Sequence, residues 1–227
     1  MTTTGPRVDQ YLKPTAYVDS EAANIRAFAA RVAGAATEPL GRAVALYHAV
    51  RDQIVYTPYC DFRSLETYRA SACLARGSGF CVAKSALLAA AARAVGVPAR
   101  LGFADVRNHL ASPRLRRLMG TDLFYYHGYA ELYLGGAWVK ATPVFDRGLC
   151  ERFGVPPLPF DGLRDSPFQA YDPSGRRHME YVRDHGPSAD VPAETIIEIF
   201  ERHYPALTAR GTAGPAEGFR DEAAPMA

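Results

Sequence analysis

The hydrophobic positions change their spacing along the chain, and the changes mark elements. Ile25, Phe28 and Val32 recur at helical intervals after Asp19 and Ser20, residue types that cap helix starts. Thr37-Glu-Pro39 opens a second helix, with Leu40, Val44, Tyr47, Val50 and Ile54 on one face. Proline suits its first turn, where the missing N–H has no helical partner anyway. Tyr56 to Ala72 is polar and aromatic, contains Pro58, and reads as a surface connection. A tight turn at Gly77-Ser-Gly79 leads into an Ala- and Leu-rich helix from about Cys81 that Gly96 is placed to end. Val97 to Phe103 then reads as a strand. Residues 104–125, rich in Arg and Asn, read as a long surface excursion of the kind that often serves as a lid. Tyr126–Leu134 and Ala137–Thr142 flank Gly135-Gly136, which predicts a hairpin. Residues 147–190 hold many Pro, Gly and Asp and little periodicity. A last helix follows Asp190 and Pro192, with Ile196, Ile197, Ile199 and Phe200 on its apolar side.

This order predicts one domain over residues 18–204, a loosely attached arm at 1–17, and an Ala/Gly/Pro-rich disordered tail at 205–227. The 26 basic and 24 acidic side chains nearly cancel, so charge gives no case for a nucleic-acid or membrane partner. No apolar run nears the ~18–20 residues that span a bilayer. The opening MTTTGPRVDQYLKP lacks a secretory pattern, so the expected location is the cytoplasm. The cysteines are Cys60, Cys73, Cys81 and Cys150. Neither C-x-x-C nor H-x-x-x-H occurs, and no metal or other cofactor is expected.

Cys81 has the sharpest setting. It opens a helix after a glycine turn, where unpaired N–H groups and the helix dipole favour thiolate over thiol, so its pKa is expected to fall. The same N–H groups suit an oxyanion. A nucleophilic cysteine needs a base, and His127 stands in the first hairpin strand, YYHGYAELYL. A two-residue Gly135-Gly136 loop pairs Leu134 with Ala137. His127 then faces Val144, with Thr142 and Asp146 as diagonal neighbours. A carboxylate there would orient the imidazole and stabilise its cation, although Pro143 interrupts the ladder. The same register sets Glu131 opposite Lys140 as an ordinary ion pair.

The block GSGFCVAKSALLAAAARAVGVPAR followed by YYHGYAELYLGGAWVKATP resembles the transglutaminase-like superfamily of papain-type cysteine enzymes. The resemblance covers about Ser71 to Asp146, and more loosely the whole chain. It implies an α+β papain/transglutaminase-like fold, with a catalytic helix packed on an antiparallel sheet. It implies Cys81 as nucleophile and His127 as base. The family's Asp-Pro is replaced here by Thr142-Pro143. Asp146 is the expected third member of a Cys-His-Asp triad, and Thr142 is the alternative. Asp105, Asn108 and His109 are expected to line the substrate cleft. The implied activity is acyl transfer through a thioester on a small-molecule, peptide or protein amide. Three readings stand: amidase or peptidase, amide-forming acyltransferase, or a binding module that keeps only the fold.

Overall fold

The computed structural model describes residues 8–109, 111–168, 175, 179–209 and 218–222. The helices are α1 (Ala23–Ala33), α2 (Pro39–Gln53), α3 (Ala70–Arg76), α4 (Cys81–Ala94), α5 (Pro113–Met119), α6 (Arg147–Phe153), α7 (Ala193–His203), α8 (Pro205–Ala209) and α9 (Gly218–Glu222). The strands are β1 (Val55–Tyr56), β2 (Ser78–Gly79), β3 (Ala99–Asn108), β4 (Leu123–Leu134), β5 (Ala137–Ala141) and β6 (Met179–Ser188). β1 and β2 form a short parallel pair; the main sheet has the order β5-β4-β3-β6 and is antiparallel throughout. Among the described residues, no helix is long and apolar enough to cross a membrane.

α4 is the centre of the molecule. It packs against β3 and β4 on one side and against α1, α2 and α3 on the other. From Cys81 through Arg93 every residue of it is buried. Its small alanine side chains let neighbouring backbones approach closely. A Cβ added to Gly128 of β4 would lie 2.9 Å from the Cα of Val82. Burial extends even to Lys84, whose ammonium donates to the carbonyls of Arg51 (3.0 Å) and Ile54 (2.6 Å). These are carbonyls at the end of α2 that the helix itself cannot satisfy.

The hairpin keeps the predicted register, from Leu134 opposite Ala137 to Ala130 opposite Ala141. Gly135 (φ +58°) and Gly136 (φ +90°) supply the positive φ angles that a two-residue loop needs. The ladder stops before Pro143, which has no N–H to donate. Glu131 is paired with Lys140 in register, but its carboxylate takes the guanidinium of Arg100 on β3 as its partner. Trp138 on β5 stacks under Arg100, with the guanidinium carbon 4.1 Å from the ring centroid, and meets Tyr11 edge-on at 5.1 Å.

Several expectations are corrected. Asp19 does not cap α1; its carboxylate accepts the N–H of Ser71 instead. Tyr56–Ala72 is not a surface connection, because Tyr56, Tyr59, Phe62 and Tyr68 are buried in the core. The 104–125 excursion is shorter than its composition suggests, since β3 runs to Asn108 and α5 follows. Within 147–190, α6 and the edge strand β6 were not legible as periodicity. The arm and the tail are also ordered in part. Residues 8–12 form a 3-10 helix, and Arg93 donates to the carbonyl of Lys13. Leu207 of α8 and Phe219 of α9 are buried in the core cluster. The rest of both termini (1–7, 210–217 and 223–227) lies outside the described residues.

Candidate active site

Phe80 is extended and Cys81 is the first residue of α4, so the sulfur sits where helix N–H groups have no helical partner. The backbone N–H groups of Gly128, Val82 and Cys81 itself face it and favour the thiolate. The sequence reading therefore expected a lowered pKa. Burial wins instead: Cys81 is 7% exposed, and its thiol is pushed up to about 11. The closed setting, which sequence does not reveal, outweighs the half-charge of the dipole. The other thiols are also raised by burial, Cys60 and Cys150 to about 12 and Cys73 to about 11.

His127 lies on β4 just past a β-bulge. Ala104 pairs with His127 and Val106 with Phe124, so β4 carries an extra residue opposite Asp105. Tyr126 absorbs it with φ +51°, a left-handed conformation that is costly for a tyrosine. Asp105 holds this bend. Its Oδ1 accepts the N–H of Tyr126 at 3.0 Å and lies 2.8 Å from His185 Nε2, and the His185 ring stacks on Tyr126 at 4.1 Å. His127 is 3% exposed, and burial lowers its pKa to about 3. At rest the site thus holds a neutral thiol and a neutral imidazole.

Cys81 and His127 line one cavity of about 40 Å³. Its wall is carbon-rich, built from residues such as Phe62, Phe80, Leu115, Met119, Phe200 and Leu207. Phe62 meets Phe80 and Phe200 edge-on at 5.1 Å each. Tyr204 also lines it, but its hydroxyl is engaged: it donates to Leu123 O (2.8 Å) and accepts from Tyr125 N (2.7 Å).

Asp146 is not brought to His127. It caps α6, accepting from Leu149 N (3.0 Å), and it also accepts from Tyr56 N (3.1 Å) and from Arg220 of α9 (2.7 Å). A carboxylate that caps a helix points along that helix, and this one is committed to three donors away from the imidazole. Among the described residues, His127 Nε2 and Thr142 Oγ1 are both buried polar atoms without a hydrogen-bond partner. Both residues border Phe168. The His127 ring meets it edge-on at 4.1 Å, and Thr142 shares a cavity of about 20 Å³ with it.

The expected cleft residues do not line the Cys81 cavity. Asp105 braces the bulge. Asn108 borders a separate cavity with Tyr56 and Phe219, and His109 lies 3.8 Å from Glu180. Sequence reasoning missed the Gly128 N–H, the Tyr126 bend, Lys84, and the docking of Arg220. A glycine directly after a candidate histidine was the available sign of close approach. Among the described residues, no group of three or more His, Cys, Asp or Glu is placed to hold a metal.

The family description of the transglutaminase-like superfamily matches residues 26–143, just over half of the 227. The chain belongs to the transglutaminase-like superfamily. Its α+β architecture, with the cysteine-bearing helix against an antiparallel sheet, is the fold that the family implies. No curated protein matches the sequence. Among solved structures, a candidate cysteine protease from Cytophaga hutchinsonii is similar at 17% identity and a TM-score of 0.49, covering 82% of this chain. This chain spans 57% of the length of that protein.

Proposed function

We propose that the protein is a cysteine-dependent acyl-transfer enzyme acting on an amide or ester, with Cys81 as nucleophile and His127 as base. One observation carries the reading: Cys81 and His127 line the same cavity, and the N–H groups of Gly128 and Val82 face the sulfur. Because both groups are neutral at rest, proton transfer and attack occur together. The sulfur forms a bond to the acyl carbon, and the thiol proton passes to His127. The carbon–nitrogen or carbon–oxygen bond breaks, the leaving group takes the electron pair, and His127 returns the proton to it. Water or an amine then attacks the thioester and regenerates the thiol. The helix-start N–H groups hold the negative charge as it develops.

Thr142, at the family's aspartate position, is the residue we assign to orient His127. Asp146 is assigned to brace α6 and α9. The neutral resting pair also favours a second reading, a binding module that keeps the fold without turnover. Mass spectrometry of protein treated with an activated ester decides between them. An acyl adduct on Cys81, absent in Cys81→Ala, supports the enzyme; a Cys81 that stays unmodified supports the module. Analysis of the released product with and without added amine separates hydrolysis from transfer.

A further inference from the structure

The cavity beside Cys81 bears on which acyl group reaches the sulfur. Among its lining residues, none carries a charged side chain other than a histidine that burial keeps neutral. The hydroxyl of Tyr204 is already engaged as donor and acceptor by backbone groups of β4. Apart from the uncharged hydroxyls of Tyr56 and Tyr125, a carboxylate, ammonium or amide entering this space would gain no side-chain partner in place of the water it leaves, and its desolvation counts against it. The space is also small. It measures about 40 Å³, against ~150 Å³ for an apolar cavity that takes up benzene. A few methylene groups fit; a phenyl ring or a long chain does not.

The walls have little freedom to yield. Phe62, Phe80 and Phe200 lock each other edge to face, and Leu115, Met119 and Leu207 are each under 5% exposed. Met119 closes α5, and Leu207 sits in α8. Both elements flank the cavity and belong to neither α4 nor the sheet, so their truncation enlarges the space without touching Cys81 or His127.

We infer that the acyl group transferred through Cys81 carries a short, unbranched, uncharged aliphatic chain, of about two to four carbons including the carbonyl. The inference rests on the reading of Cys81 as nucleophile and adds the substrate class to it. The thioester forms as above: the sulfur–carbon bond replaces the bond to the leaving group, which departs with its electron pair.

The test uses p-nitrophenyl esters of acetate, butyrate, octanoate, benzoate and succinate with the full chain. Nitrophenolate release is followed, and the modified residue is mapped by mass spectrometry. Acetate and butyrate are expected to acylate Cys81 at least tenfold faster than octanoate, benzoate or the charged succinate. Met119→Ala and, separately, Leu207→Ala are expected to raise the octanoate-to-butyrate ratio at least fivefold by opening space; either folded variant suffices. If Cys81 is acylated equally by all chains, or the ratio is unmoved in both variants, the inference on chain length fails while the nucleophile stands. If no ester labels Cys81, or another residue is labelled instead, the underlying reading fails.

Discussion

Gly128 presses so closely on Val82 that a Cβ at the glycine would sit 2.9 Å from the Cα of its neighbour. The contact joins the residue after His127 to the residue after Cys81, so the two candidate reacting groups are spaced by backbone touching backbone. In Gly128→Ala the helix start and the strand must part by several tenths of an ångström. The expected cost is about 1–3 kcal/mol of stability, read by urea titration. The thiol should also lose its N–H contact. Acylation of Cys81 is therefore expected to slow more than tenfold in protein that remains folded.

Asp146 and Thr142 have separable roles. Asp146→Asn keeps the cap geometry but weakens the contact with Arg220, and about 1–3 kcal/mol should be lost with little change in turnover. Thr142→Val keeps shape and removes the only polar atom of that side chain. It should lower kcat about tenfold with stability nearly unchanged. A crippled but stable Asp146→Asn enzyme would return the orienting role to the carboxylate.

Stability should fall with acid through His127. Its pKa is about 3 in the folded protein and ~6.5 in an unfolded chain, so below pH 6.5 the unfolded chain binds more protons. The stabilisation is complete above that pH and is lost as pH falls toward 3. By pH 4.5 the loss amounts to about 2–3 kcal/mol. His127→Leu should lack this component, so denaturant midpoints of the two proteins measured at pH 7 and 4.5 should diverge by that amount.

Asp105 should act through the bend before His127. In Asp105→Ala the Tyr126 N–H loses its acceptor, for a cost of about 1–3 kcal/mol, and the imidazole is no longer aimed. Asp105→Asn still offers an oxygen to that N–H and should restore most of the stability and of kcat. If both variants turn over like wild type, the bulge does not position His127.

Much of this was legible beforehand for a physical reason. The hairpin register follows from one Gly-Gly loop and the period-two alternation, and it was correct from Leu134 to Ala130. α4 announced itself by composition. What failed was whatever depends on long-range packing. The alternation from Tyr126 to His127 hides a bulge set by Asp105 and His185, 80 residues apart in β3 and β6. Burial reversed the shift expected for Cys81, because α5, α7 and α8, elements distant in sequence, wall its cavity with apolar side chains. Asp146 read as a diagonal neighbour only while the ladder was extended past Pro143.

Trp138 is the only tryptophan of the chain, and it lies against Arg100 and Tyr11, on the hairpin rather than in the Cys81 cavity. Intrinsic fluorescence excited at the indole therefore watches the seating of residues 8–12 on β5. Substrate arriving at Cys81 should leave that emission nearly constant, and a spectral shift on warming should report release of the N-terminal turn ahead of any loss at the site. Optical work on turnover calls for a dye carried by the acyl group itself.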